Sequence, residues 1–230
     1  MGCDNEHHGH GWLDAEGVRH PELPVLELRE MYKRLYALVH TRIEDGLIFA
    51  HQSSVFEGYS HPWTDIGTYG EYWLGIHSYE PLTLGRMRAE YDVRQYGVPF
   101  HFFPALNQWR ADPHHSMEEI LSFTLLHDTI PTDVGTEDEA LKQVWRIYRE
   151  FDTQHAQWVP YYQAESWLSA EPDAIKVSLY QREGDSLLVV ANPTYEDVAG
   201  TVTLDLQRLT GGVPTQATDA RSGEPVAMDG

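Results

Sequence analysis

The sequence has a single cysteine, few basic residues and no long apolar run, and each shortage excludes a class of protein. Cys3 alone can form neither an internal disulfide nor a thiolate metal cluster. No apolar run approaches the roughly 18 residues that a membrane-spanning helix needs. The 16 Lys and Arg residues stand against 36 Asp and Glu residues, for a formal net charge of -20. Because nucleic acids and anionic membranes require a positive surface, we expect neither as a partner.

What is present is the composition of a globular protein. Hydrophobic residues make up 41% of the 230 residues and aromatic residues 12%, enough for one large domain or two small ones. The first twelve residues contain neither the basic nor the apolar region of a signal peptide. We therefore expect a soluble protein whose cellular compartment the sequence does not indicate. A signal peptide in a missing upstream segment would make it secreted or periplasmic.

The first two thirds of the chain alternate between helix and strand patterns. Periodicity predicts a helix over residues 24–40 and another over residues 85–96. Each is followed by a short apolar strand, at residues 47–50 and 98–103, and then by a polar, aromatic loop. This order is typical of an α/β protein whose chemistry lies on loops after the strands.

Three helices can be described further from their side chains. In the first, apolar residues recur on one side and predict a buried stripe of Leu28, Met31, Tyr32, Leu35 and Leu38 or Val39. Ser116 and Glu119 form a capping box that begins a helix ending near His127. Thr136 and Glu139 repeat this pattern for a helix over residues 137–151. That helix is predicted to be buried through Leu141, Val144, Trp145 and Tyr148.

The composition changes near residues 171–173, beyond which strand patterns dominate. Strands are predicted at residues 175–180, 186–191 and 201–206, separated by turns at residues 183–185 and 220–224. We therefore divide the chain into an α/β domain over residues 1–168 and an antiparallel β domain over residues 172–230. The last turn resembles a hairpin whose return strand is missing.

Several segments, spread in order over most of the chain, resemble glycoside hydrolases related to family 123. They include HHGHGW at residues 7–12, DGLIFAHQSS at 45–54, GEYW at 70–73, LLHDTIP at 125–131 and VSLYQREGDSLLVVANPT at 177–194. The resemblance implies a partial (β/α)8 TIM barrel, formed by its last strands and helices, followed by an antiparallel β-sandwich domain. The sixth, seventh and eighth barrel strands would fall at residues 47–50, within 63–71, and at 98–103. One departure is His10, where relatives are expected to have Cys.

The implied activity is hydrolysis of O-glycosidic bonds, with N-acetylhexosaminides as candidate substrates and no cofactor. In this family the substrate's own 2-acetamido group attacks, and a carboxylate orients and stabilises it. Glu71 is the first catalytic candidate because the aromatic residues beside it would exclude water and raise its pKa. Asp65 is the second. The alternatives are a surface or substrate-anchoring Glu71 and a helix-capping or turn Asp65.

Other side chains are candidates for binding carbohydrate. His51 and Gln52 directly follow a strand and could hydrogen-bond sugar hydroxyls. Asp128 could be a loop ligand or could pin its own loop. The four tryptophans that could stack on sugar rings, or could equally belong to the core, are Trp12, Trp63, Trp73 and Trp109.

Two other functions stay open from the sequence. A missing front half of the barrel would leave a non-catalytic carbohydrate-binding or structural fragment, because an open barrel exposes its strand edges. The 13 histidines would suit a metal-dependent hydrolase, with His7, His8 and His10 closest together. However, the sequence has no H-E-x-x-H pattern, and adjacent histidines point to different sides of a regular element, so we assign no metal ligands.

Overall fold

The computed structural model describes residues 11–228, apart from residues 22–24, 52–57, 71–82, 92–96, 104–115, 133–137, 165–166 and 210–215. The helices are α1 (Val25–Arg42), α2 (Leu84–Glu90), α3 (Met117–Thr124), α4 (Asp138–Phe151), α5 (Tyr161–Ala164) and α6 (Leu206–Leu209). The first six strands are β1 (Gly11–Leu13), β2 (Arg19–Pro21), β3 (Phe49–His51), β4 (Ile66–Tyr69), β5 (Phe100–Phe102) and β6 (Ile130–Pro131). The later strands are β7 (Gln157–Val159), β8 (Leu168–Glu171), β9 (Lys176–Arg182), β10 (Asp185–Ala191), β11 (Thr201–Leu204), β12 (Ala217–Thr218) and β13 (Pro225–Val226).

A four-stranded parallel sheet forms the centre of the α/β part. Its strands lie in the order β3, β4, β5, β6, so that each strand pairs with the next one along the chain. The sequence predicted the first three of these strands. It missed β6, because two residues that include a proline carry no strand pattern. The sheet therefore has one strand more than the three that were predicted.

One face of the parallel sheet is covered by helices. Phe100 and Phe102 of β5 are buried there with Met87 of α2 and Ile120 of α3. Gly67 of β4 belongs to the same face, and a side-chain carbon at that position would collide with the Phe100 ring. The small residue in β4 thus lets the aromatic ring lie flat against the neighbouring strand.

The predicted capping signal of α3 is confirmed, and the pattern of α4 is confirmed in part. The Ser116 Oγ accepts a hydrogen bond of 3.1 Å from the Glu119 backbone N–H. Leu141, Val144 and Tyr148 of α4 are buried in the core, as predicted. Trp145 was also predicted to be buried, but its side chain is 43% exposed. Trp145 directly follows Val144, so it lies about 100° around the helix from that core residue.

Helix α1 packs through part of the predicted stripe, because Leu28, Tyr32 and Val39 are half-buried. None of its residues is buried, and Met31, Leu35 and Leu38 of the predicted stripe are exposed. Its contact with the sheet also runs through Tyr36, whose ring meets Trp63 edge-on with centroids 6.2 Å apart. The periodicity therefore found the helix correctly and the side that packs only in part.

Two antiparallel sheets follow, and their first strand lies earlier in the chain than residue 172. One sheet has the order β10, β9, β7, and the other pairs β11 with β8. An apolar cluster joins the two sheets, with Leu168 of β8 packed near Val177 and Leu179 of β9. The strands predicted at residues 175–180 and 186–191 correspond to β9 and β10.

The central strand β9 is covered on both faces. Val177 and Leu179 lie in the cluster shared with the second sheet. Tyr180, on the other face, belongs to the core of the helical layer. Ser178 points the same way and donates a hydrogen bond of 2.9 Å to the Leu126 carbonyl. The antiparallel part therefore packs directly on the α/β part.

No helix within the described ranges combines the length and apolar character required to cross a membrane.

Candidate functional site

The carboxyl ends of the parallel strands bring three described residues to one edge of the sheet, here called the carboxyl edge. His51 ends β3, Gly70 follows β4, and Phe103 follows β5. The rings of His51 and Phe103 meet at 71° with centroids 5.2 Å apart. Because parallel strands end at the same edge, this is where an α/β protein presents a ligand site.

Gly70 determines how the chain leaves β4 at this edge. Its φ of 136° lies outside the range that other residues readily adopt. A side-chain carbon there would lie 2.9 Å from the Phe103 carbonyl oxygen. The backbone of β4 therefore passes close against the end of β5 immediately before Glu71.

The face of the sheet opposite the helices, here called the open face, carries a row of polar residues. His51, Thr68 and His101 occupy matching register positions on β3, β4 and β5. The Thr68 hydroxyl donates a hydrogen bond of 3.0 Å to the His101 carbonyl. Phe49 meets the His101 ring edge-on and is 49% exposed. Burial lowers the pKa of His101, so its imidazole is neutral at neutral pH.

Four of the predicted site residues lie outside the described residues. They are Glu71, Gln52, Trp73 and Trp109. Their roles stay predictions.

Asp65 lies at the opposite, amino edge of the sheet, where β4 begins. Its Oδ2 accepts a hydrogen bond of 2.7 Å from the Ile48 backbone N–H and lies 3.0 Å from the Nε2 of His40. The carboxylate therefore joins β4 to the start of β3 and to α1. This geometry supports the structural alternative for Asp65, a carboxylate that holds a turn.

Trp63 lies at the same amino edge, in a short 3-10 helix that precedes β4. One side of its indole meets the Tyr36 ring, and the Lys33 Nζ lies 5.7 Å from the ring centroid. These contacts pack Trp63 against α1. The parallel sheet thus separates Trp63 from the carboxyl edge.

Asp128 holds the connection between α3 and β6 against the antiparallel part. It adopts a left-handed conformation with φ of 55°, and its Oδ1 accepts a hydrogen bond of 2.5 Å from the Tyr180 hydroxyl. That hydroxyl lies 3.2 Å from the Tyr148 hydroxyl. Burial raises the pKa of both tyrosines, so both keep their protons. The contacts match the predicted alternative, in which Asp128 pins its loop.

Trp12 lies on the hairpin of β1 and β2 and is 55% exposed. One face of its indole stacks on His20, with centroids 4.4 Å apart and planes 18° apart. The His20 Nε2 is in turn 2.7 Å from the Asp14 Oδ2. Trp12 therefore does not belong to the core, and its stacking on a sugar ring stays a prediction.

No three His, Cys, Asp or Glu side chains come together as a metal site within the part of the chain that the structure describes. The cluster of His7, His8 and His10 lies outside that part.

His101 was not predicted as a site residue, because residues 98–103 have the pattern of one continuous apolar strand. The available signal was its position between two phenylalanines. Strand side chains alternate between faces, so a polar residue between two buried ones faces the other way.

The described fold is that of a protein of mixed helix and sheet, with a parallel sheet followed by antiparallel sheets. Residues 140–221 match the family model of the glycoside hydrolase 123, C-terminal domain. The C-terminal region of the chain is therefore similar to the C-terminal domain of glycoside hydrolase 123 proteins. The match covers less than half of the chain, from within α4 to the turn after β12. No curated protein and no solved structure matches the chain.

Proposed function

We propose that the chain is the C-terminal part of a glycoside hydrolase that binds carbohydrate at the carboxyl edge of its parallel sheet. The observation that carries this proposal is the family match at residues 140–221. The α/β part supports it independently, since four parallel strands in sequential order are what an arc of a (β/α)8 barrel would contain. Further strand–helix units beside β3 would complete such a barrel.

The reaction proposed is hydrolysis of an O-glycosidic bond, with N-acetylhexosaminides as the substrate class. Glu71 is the proposed carboxylate, because it follows Gly70 directly at the carboxyl edge. His51 is positioned by β3 at that edge and can hydrogen-bond a hydroxyl. Gln52, Trp73 and Trp109 follow strands of the same sheet in the sequence and remain proposed carbohydrate contacts.

The test is turnover of aryl N-acetylhexosaminides by the 230-residue chain and by any longer polypeptide that contains it. Glu71→Gln is expected to lower kcat by about 10²–10⁴-fold, the usual effect of losing an acid–base group. Glu139→Gln is the matched control, because Glu139 is exposed on α4 and pairs with Lys142 at the surface. Full activity of the Glu71→Gln variant would refute the assignment of Glu71.

A second candidate, carbohydrate binding without turnover, is favoured by one specific observation. His51 and Phe103, whose rings meet at the carboxyl edge, offer a sugar a hydrogen-bonding group and an aromatic ring, which suffice for binding. This candidate is supported if the 230-residue chain binds the sugars without hydrolysing them, whereas a longer polypeptide that contains it does hydrolyse them.

A further inference from the structure

The residue that stands out beyond the proposed site is His101, in the middle of β5. Its two neighbours in the strand, Phe100 and Phe102, are 1% and 0% exposed and face the helices. The side chain of His101 therefore lies on the open face, where it is only half-buried.

The imidazole of His101 makes no hydrogen bond to any of the described residues. Among the described residues, its ring meets that of Phe49 at 81°, and Phe49 is itself half-exposed. Polar groups that belong to a core are almost always hydrogen-bonded. A half-buried imidazole without such a bond is instead suited to receive a partner from a ligand.

The backbone beneath His101 is held firmly. The Thr68 hydroxyl donates to the His101 carbonyl at 3.0 Å, and β5 pairs with β4 on one side and with β6 on the other. A side chain on such a strand needs little reorganisation to meet a ligand, which favours binding.

The surroundings indicate the chemistry of that ligand. A neutral imidazole offers one donor and one acceptor, which matches a hydroxyl or an amide group. The other accessible members of the open face named here are the His51 imidazole and phenylalanine rings, whereas the Thr68 hydroxyl is buried and bonded to the His101 carbonyl. A net charge of -20 opposes the binding of anions. The face is therefore suited to a neutral, polyhydroxylated ring.

We infer that His101 contacts the ligand of the proposed site, and that its imidazole hydrogen-bonds a hydroxyl or amide group of a neutral N-acetylated sugar on the open face. This inference rests on the proposed function and adds a residue to it. His101 lies two strands from His51 in the same row, about 10 Å away, so a sugar ring together with its substituents can reach both imidazoles.

The test is a titration of the 230-residue chain, labelled at histidine, with the methyl β-glycosides of N-acetylglucosamine and N-acetylgalactosamine. The His101 ring resonances are expected to shift and to saturate. Those of His155 are expected to stay unchanged, because it lies in a separate 3-10 helix and pairs with Asp152. A saturable shift of other open-face resonances that leaves His101 unmoved would overturn the inference.

Two variants measure the contribution of the imidazole. His101→Phe and His101→Gln are expected to raise the Kd about five- to tenfold, the range for one neutral hydrogen bond, with the smaller loss in the glutamine variant. His155→Gln, the control, is expected to leave the Kd unchanged. Thermal melts show whether each variant is folded, and if neither is, the resonance shifts of the unsubstituted chain decide.

The outcomes separate the two proposals. Unchanged sugar affinity in both folded His101 variants overturns the role of His101 and leaves the proposed function standing. Absence of any sugar binding or turnover by the unsubstituted chain overturns the proposed function, and the role of His101 falls with it.

Discussion

The hydrogen bond from Tyr180 to Asp128 connects the α/β part to the antiparallel part, and removing it should destabilise the whole chain. Tyr180 is fully buried, and its hydroxyl donates to the Asp128 carboxylate at 2.5 Å. Hydrogen bonds to charged groups contribute about 1.5–3 kcal/mol. Tyr180→Phe also leaves the half-buried carboxylate and the Tyr148 hydroxyl without this partner. We therefore expect a loss in the upper half of that range, about 2–3 kcal/mol.

The chain contains a matched control for this substitution. The Tyr195 hydroxyl donates to the Glu119 carboxylate at 2.7 Å, but Tyr195 is 63% exposed. Water can replace the lost partner there, so Tyr195→Phe should cost less than about 1 kcal/mol. Both variants remove one hydroxyl from a tyrosine that faces a carboxylate, and only burial differs.

The free energy of unfolding would be measured by urea titration of each variant and of a double-mutant cycle with Asp128→Asn. Asparagine tolerates the positive φ of position 128, so the backbone is disturbed little. A coupling of about 1–2 kcal/mol between positions 180 and 128 is expected. Equal losses from the two Tyr→Phe variants, or a coupling near zero, would refute the reasoning.

Two further predictions concern α4 and the first hairpin. Leu141→Ala should cost about 2–5 kcal/mol of unfolding free energy, because it leaves a cavity in the core. Trp145→Ala should cost less than about 1 kcal/mol, because Trp145 is partly exposed. Urea titration of both variants measures these losses. A larger loss of unfolding free energy in Trp145→Ala than in Leu141→Ala would contradict the described packing. The hydrogen bond from His20, followed by the Val18 N–H, lowers the pKa of Asp14 below 3.8. A carboxyl whose folded pKa is lowered stabilises the hairpin above its unfolded pKa, and this contribution is lost as the pH falls through the folded pKa. Carboxyl NMR titration should therefore place the Asp14 midpoint below 3.8, whereas a midpoint at or above 3.8 would contradict the hydrogen-bonded hairpin.

The elements best predicted from the sequence are those determined by local chemistry. The cap at Ser116 needs only a hydroxyl three residues before an amide, and strands β9 and β10 are separated by a turn at Gly184 whose φ is 79°. Both signals lie within a few residues of the structure that they specify. Such predictions hold in the folded protein because tertiary contacts favour the same local structure.

The features that the sequence did not determine depend on distant contacts. The packed side of α1 was predicted only in part, because periodicity identifies an apolar stripe but not what covers it. The partner of Asp128 lies 52 residues away, in a strand of the antiparallel part. Asp65 and Trp63 were candidates for the site, and the structure places them just before β4, at the amino edge of the sheet. A loop that joins parallel strands crosses from one edge to the other, and the sequence does not mark where it crosses.

The double covering of β9 has a consequence for how the protein unfolds. Alternate residues of one strand serve two interfaces, so Leu179 stabilises the contact between the sheets while Tyr180 stabilises the contact with α3 and α4. Neither interface can open without exposing one side of the same strand to water. The two parts should therefore melt in a single calorimetric transition, and a proteolytic cut near residue 172 should release no fragment that keeps its structure.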